Sequence, residues 1–419
     1  METSPIACVE ISSGSVRLIV GHELNGNPIC LYCKKIEVPG LFKDGEVLDE
    51  EKAVAALAKF HNIVDEQEKV QLNISRVSIV LPSLGLQVYQ NDKTTNVIAS
   101  TNQIERIDIS NVISLVRKEA VPGDHSIVDI IPDEFVLDSG ERFIDPPLGR
   151  KSNSLTIKAK IHALPSKVGP QYQQMATQAG FRVNKSCVSA YCASLLFQTY
   201  KDLPRNYLLV DIGEHVTDVS LIGNGTPFAS ASFFLGGRDL TEDIATAFGI
   251  EFEEAERLKV RYGYREEQRQ WNPAICKSTD EAGKVTEYFQ KDLNAVITDY
   301  FENYMTLLSN AVDSLLARYQ GRYDTFPLMV TGGGSLLRGL RAFLQVNFPK
   351  RESYIVAPRT IGARDPSYTN LLGLILASSR YMGSLEDNFR GMAPVSRGPQ
   401  GGKKREERRR GSSPEDDAL

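Results

Sequence analysis

A chain of 419 residues exceeds what one hydrophobic core usually organises, so two lobes or more are expected. With 42% hydrophobic and 24% charged residues, it has the composition of a globular protein with ample apolar side chains. A formal net charge of −5 argues against nucleic acid as the main partner.

Met1 to Val20 carries Glu2, Glu10 and Arg17 and no unbroken apolar run, so it does not read as a signal peptide. No window holds about 18 consecutive apolar residues, the length a spanning helix needs. A cytosolic protein is expected. Among the six cysteines, Cys30 and Cys33 form a lone C-x-x-C. Zinc would need a further ligand pair, and the five histidines are scattered. Buried reduced thiols are expected at Cys8, Cys30, Cys33, Cys187, Cys192 and Cys276.

In chain order, 6–12 and 16–21 are β-rich runs joined by Ser13-Gly14-Ser15 and read as a hairpin, with a further strand over 29–38. Val54, Leu57, Ala58 and Val64 predict one helix over 50–68, and Val77 to Leu81 a buried strand. From 85 to 165 the texture changes to a small α+β module. A helix from Ile104 to Ala120 is flanked there by strands at 86–89, 127–131, 135–137 and 155–164. Helices follow at 167–180 and 189–200, then two β runs over 206–223, a Gly-Gly turn at 236–237, and helices near 239–248 and 252–262. Residues 286–319 carry one continuous apolar face, as a long core helix would. A strand over 326–330 leads into Thr331-Gly332-Gly333-Gly334-Ser335, a helix over 337–347 and a last helix over 369–382. Residues 391–419, rich in Gly, Pro, Ser and charge, read as disordered.

CVEISSGSVRLIVG (8–21) and LVDIGEHVTDVSLIG (209–223) share one pattern: apolar strand, acid, tight turn, apolar strand. That is an internal duplication. Backbone N–H groups at such a turn form an anion nest, and small residues let a phosphate approach them. The acid at the strand end can hold the water shell of Mg²⁺, which keeps most of its waters. Glu10, Ser12, Ser13 and Gly14, with Asp211, Gly213, Thr217 and Asp218, are therefore the candidates for the phosphates of ATP and its hydrated Mg²⁺. Glu10 and Asp211 would hold the metal through water. Gly332, Gly333, Gly334 and Ser335 allow the chain to pass under a flat base such as adenine. Glu256 and Lys259, three apart on a helix, share a face and could meet the ribose hydroxyls.

In this order, the motifs resemble the actin, sugar-kinase and heat-shock-chaperone superfamily, and within it the bacterial FtsA cell-division family, over about residues 5–385. FLGGRDLTEDIATAFG (234–249) with EEAERLKVRYG (253–263) resembles that family's second lobe, and EEKAVAALAKFHNIVDEQE (50–68) with IVLP (79–82) its first. IVDIIPDEFVLD (127–138), DPPLG (145–149) and LTIKAKIHAL (155–164) resemble its extra subdomain. This implies an α/β, actin-like two-lobed fold with duplicated ribonuclease-H-like domains and an inserted small α+β subdomain. The first lobe would take 1–84 and 166–205, the insert 85–165, and the second lobe 206–240, 241–320 and 321–370. A closing helix over 371–385 and a charged tail over 386–419 would follow.

The resemblance also implies binding to the tubulin-like FtsZ near 241–320, self-association into filaments, tethering of the division ring to the membrane, and a cytoplasmic place at that membrane's inner face. Glu10 stands where that family usually has Asp, Ser12 where it has Gly, and Glu214-His215 where it has a Gly pair. Chaperone relatives place a water-positioning Glu where Lys185 stands here, and a protonated lysine cannot act as a base. Weak or absent ATP turnover is expected. The tail, Lys403-Lys404-Arg405-Glu406-Glu407-Arg408-Arg409-Arg410, lacks the bulky apolar face of a membrane helix. Electrostatic lipid binding, an anchor on another protein and a solvated end all remain open. So do two alternative functions: an enzyme of the same superfamily, and an actin-like scaffold of another membrane-associated machine such as pilus assembly.

Overall fold

The computed structural model describes residues 5–43, 45–265, 272–279, 283–317 and 325–381. β1 (Ile6–Ser12), β2 (Ser15–Leu24) and β3 (Asn27–Glu37) form an antiparallel meander. Next come a short hairpin of β4 (Phe42–Lys43) and β5 (Glu46–Val47), α1 (Glu50–Ala58), and a second hairpin of β6 (Asn62–Asp65) and β7 (Val70–Asn73). β8 (Arg76–Leu81) joins β1 in parallel.

The helix read over 50–68 thus ends at Ala58. Ile74 donates its N–H to the His61 carbonyl, and the His61 ring stacks on Phe181. Asn62 to Asp65 then pairs with Val70 to Asn73. Ile63 and Val64 are β-branched and suit a strand better than a helix. Ile63 is buried while Val64 is 69% exposed, the alternation of a strand.

The inserted module holds β9 (Gln87–Asn96), α2 (Arg106–Arg117), β10 (His125–Leu137), β11 (Arg142–Phe143) and β12 (Ser154–Pro165), in the sheet order β11-β10-β12-β9. Two strands expected at 127–131 and 135–137 are one, because a register shift at Pro132 absorbs the missing N–H. Its own core gathers Ile104, Val112, Val116, Phe135, Leu155 and Ile157. Asp108, fully buried, accepts from Glu105 N at 2.9 Å and Ile98 N at 3.1 Å, fixing the start of α2. Asp108→Ala would strand both donors, and a loss of about 2 kcal/mol is expected in denaturant melts. A change below about 0.5 kcal/mol would mean that water replaces the carboxylate.

α3 (Val168–Gln178), β13 (Arg182–Val188) and α4 (Ser189–Gln198) complete the first sheet, in the order β13-β8-β1-β2-β3. The second sheet repeats the plan. β14 (Tyr207–Ile212), β15 (Thr217–Gly223) and β16 (Thr226–Phe233) form a meander, followed by α5 (Gly237–Phe248) and α6 (Phe252–Arg261). β17 (Ala274–Thr279) pairs with β18 (Val285–Phe289), which takes the first residues of the helix expected over 286–319. α7 (Gln290–Ala317) begins after it, where Asp292 accepts from Phe289 N at 2.7 Å. The apolar face of α7 lies in the second lobe's core.

β19 (Leu328–Thr331), a 3₁₀ turn at Gly333–Leu336, α8 (Leu340–Asn347) and β20 (Ser353–Ile355) close the order β16-β15-β14-β19-β20. In both sheets the first strand of the meander accepts a later parallel neighbour on its other edge. α9 (Thr369–Tyr381) returns to the first lobe and packs on α4 and on β1, β2, β3 and β8.

All six cysteines are free; Cys8, Cys187 and Cys192 are buried, but Cys30, Cys33 and Cys276 are only half-buried. Among the described residues no group of His, Cys, Asp or Glu is arranged to ligate a metal directly, and no helix is long and apolar enough to cross a membrane. The expected disorder over 391–419, its basic cluster and its membrane readings lie outside the described residues.

Candidate functional site: a cleft between two hairpins

The two hairpins face each other. In the first, Ser12 pairs with Ser15 across the two-residue turn Ser13-Gly14, which sets Glu10 opposite Arg17. Arg17 Nη1 reaches Glu10 Oε2 at 3.2 Å and the Ser367 carbonyl at 3.2 Å. In the second, Asp211 pairs with Asp218. The first cross-strand pair is an acid and a base; the second is two acids. Like charges directly opposite in a sheet destabilise it unless a cation intervenes.

Asn370, near the start of α9, bridges the sheets. Its Nδ2 donates to Glu10 Oε1 at 3.0 Å and to Asp211 Oδ2 at 3.1 Å, while its buried Oδ1 has no protein partner. Burial raises the pKa of Glu10, against Arg17 and Asn370, which lower it. Burial likewise raises Asp211. Asp218 is pushed up to about 7 by burial and then by Asp211, against a hydrogen bond from Ser232. Three acids against one guanidinium leave the cleft short of positive charge. An orphaned amide oxygen beside them can accept from water. This donor set would suit a hydrated Mg²⁺, with Asp211, Glu10 and Asp218 as the residues that would hold its waters.

The second turn is built more heavily. Gly213 N donates to Val216 O at 2.9 Å, closing the loop. Gly237 N and Arg238 N donate to the carbonyls of Gly213 and Glu214 at 2.9 and 2.8 Å, seating the first turn of α5 on it. Arg238 Nη1 holds Glu214 at 3.2 Å. His215 Nδ1 lies 3.3 Å from Asp239, and this hydrogen bond raises the pKa of the imidazole. The Glu214 carboxylate lies over Gly14 of the other hairpin: a methyl on Gly14 would fall 2.1 Å from its Oε2.

Gly332 has φ +83°, and a methyl there would fall 2.3 Å from Asp211 Oδ1. Glycine is required on both counts. Lys259 Nζ donates to Gly237 O at 2.6 Å, Thr241 Oγ1 at 2.6 Å and Glu256 Oε2 at 2.7 Å. A methyl on Gly237 would lie 3.8 Å from Gly334 Cα and 3.9 Å from Lys259 Nζ. Gly334, Gly237, Glu256 and Lys259 therefore line one corner of the cleft. Gly333, by contrast, faces open space.

Several expected ligands are spent locally. Ser12 Oγ bonds Ser15, and Ser335 Oγ donates to Gly332 O at 2.7 Å. Thr217, expected at a phosphate, is fully buried; its hydroxyl donates to Leu235 O at 2.8 Å and meets Tyr304. It braces the turn from behind. Ser13 sits at the first turn, as the hairpin reading places it. Lys185 pairs with Asp129 of the insert at 3.2 Å, and this partner raises its pKa despite burial, so its role is to dock the insert. Sequence reasoning missed Arg17, Asn370 and Ser232. Arg17 alone had a signal in hairpin register, but the three-residue turn read over Ser13-Gly14-Ser15 conceals it: Ser15 belongs to β2 and pairs with Ser12, which brings Arg17 opposite Glu10.

A duplicated sheet whose paired hairpin turns meet across a cleft defines an actin-like protein. Solved structures agree. The PilM-PilN type IV pilus biogenesis complex matches with a TM-score of 0.57 at 17% identity, covering 89% of this chain and 98% of that one. MreB5 of Spiroplasma citri bound to AMPPNP matches with a TM-score of 0.54 at 14% identity, covering 92% and 99%. The model of the cell division protein FtsA matches residues 208–373, and that of the SHS2 domain inserted in FtsA matches residues 85–163. FtsA of Staphylococcus epidermidis is 24% identical over 385 residues, covering 90% of this chain and 80% of that protein. FtsA of Bacillus subtilis is 22% identical over 377 residues, covering 89% and 83%. This chain belongs to the FtsA family of cell-division proteins.

Proposed function

We propose that this protein binds ATP with Mg²⁺ in the cleft, self-associates into filaments and links FtsZ filaments to the inner face of the membrane at the division site. The observation that carries the reading is the FtsA-type insert, seated between β8 and α3 of an actin-like body whose relatives are division proteins. Support for the nucleotide comes from the acids short of positive charge, and from the MreB5 relative, solved with AMPPNP. Asp211, Asp218 and Glu10 would hold the Mg²⁺ water shell, with Ser13, Gly14 and Gly213 near the phosphates. Glu256, Lys259 and the turn from Gly332 to Ser335 would take ribose and adenine. The ion would neutralise phosphate charge. With Lys185 spent on Asp129, turnover is weak or absent.

Lys259→Ala should weaken ATP about tenfold in a fluorescent-nucleotide titration, because it frees the first turn of α5 and leaves Glu256 held by Thr241 alone, without its cation. Unchanged affinity would remove α6 from the site.

The second reading, a scaffold of a pilus machine, is favoured by the fit to PilM-PilN. Pelleting with preformed FtsZ filaments and ATP, at low and moderate salt, separates the two. Co-pelleting at both salts is expected. Its absence at both, with FtsZ polymer confirmed, would overturn the adaptor reading in favour of the second.

A further inference from the structure

The cleft has a direction. Gly334, Lys259 and Glu256 mark its adenosine end, Gly237 touches that end, and the Gly213 carbonyl accepts from Gly237 N. Beyond Gly213 comes Glu214, and beyond Glu214 is Gly14 of the facing hairpin. The anion position farthest from the adenosine end therefore lies at Gly14, where backbone N–H groups and the missing side chain suit a phosphate oxygen. Glu214 already puts a carboxylate there. Both its oxygens lie within 2.2 Å of where a methyl on Gly14 would stand, so they touch the turn itself.

We propose that Glu214 sets the nucleotide specificity of this cleft: its carboxylate takes the place of the terminal phosphate, so the site prefers a nucleoside diphosphate to the triphosphate. The inference rests on the nucleotide reading above. The carboxylate is held at that place. Arg238 Nη1 grips Oε1 at 3.2 Å, and Arg238 is itself fixed by Glu242 at 3.0 Å and by the Phe252 ring, 4.2 Å from its guanidinium. The loop is tied to α5 through Arg238 N, and His215 anchors it again on Asp239. A triphosphate would bring a second anion against Glu214 in a cleft already rich in acid. It enters only when Glu214 leaves Gly14. The diphosphate, ending near Gly213, leaves the contact intact, and the contact joins the two lobes.

Competition titrations with ADP and AMPPNP, Mg²⁺ present, test this on the full chain and on Glu214→Gly and Glu214→Gln. Wild type should bind ADP about tenfold or more tightly than AMPPNP. Glu214→Gly should bring the ratio to about one, chiefly by tightening AMPPNP. Glu214→Gln keeps the size without the charge and should fall between. Melting curves establish that each variant is folded. An unchanged ratio in both variants, or a wild type that prefers AMPPNP, overturns the proposal while leaving the nucleotide reading intact. A folded wild type and variants that bind neither nucleotide overturn both.

Discussion

Gly373→Ala is expected to lower the stability of the first lobe by about 3 kcal/mol or more, a fall of roughly 6–12 °C in its melting transition. Gly373 lies where α9 crosses α4. A methyl there would stand 1.8 Å from the Cys192 carbonyl oxygen and 2.3 Å from its carbon, so the obstacle is backbone and cannot rotate away. α4 is apolar nearly all round and buried along its length, and Leu371, Leu372, Leu374 and Ile375 of α9 are fully buried beside it. Separating the two helices would loosen that packing and displace Asn370 from Glu10 and Asp211. Gly333→Ala is the control. It lies in the glycine turn, yet an added methyl meets nothing within 4 Å and its φ is not positive, so stability should hold. Circular-dichroism melts of both variants check the pair. Equal midpoints would contradict the crossing.

The second large effect is electrostatic and has opposite signs with and without ligand. In the free protein, Asp218 loses its proton near pH 7, whereas in the unfolded chain it does so near 4. Between those values the unfolded state binds fewer protons, so stability falls as pH rises and levels off above about 7. Glu10 and Asp211 are shifted the same way and add to the slope. Asp218→Asn removes this acid. It should raise the free protein's stability at pH 7.5 by about 2 kcal/mol, and it should flatten the decline between pH 5 and 7. The same change should abolish most of the stabilisation that Mg²⁺ and nucleotide give wild type. Chemical melts at several pH values, with and without Mg²⁺-ADP, read both signs. A variant less stable than wild type at pH 7.5 without ligand would show that Asp218 is not strained by burial.

The hairpins were legible in the sequence because their information is local. A short turn, of two residues in the first hairpin and four in the second, fixes register, and register sets Glu10 opposite Arg17 and Asp211 opposite Asp218. The glycine turn at 332–334 was legible for a similar reason, though only Gly332 and Gly334 are forced by contact. Helix periodicity misled at Val64 and at 286–289, where short β-branched and aromatic runs pair in hairpins that a window of apolar spacing cannot distinguish. Asn370 could not be found at all. It lies far along the chain from both acids it bridges, and only the return of α9 to the first lobe brings it there. In the sequence, Glu214 shows only as half of a pair that stands where the resembled family has two glycines. That it reaches across to Gly14, held by Arg238, needed three dimensions.

On the proposed reading, two facing hairpins and a glycine turn form one nucleotide site. Isothermal calorimetry of the full chain with Mg²⁺-ADP, beside Asp211→Asn, tests it most directly. One site per chain is predicted in wild type, with at least thirtyfold weaker binding in the variant, about 2 kcal/mol. Absence of binding by folded wild type, or equal binding by both proteins, would contradict it.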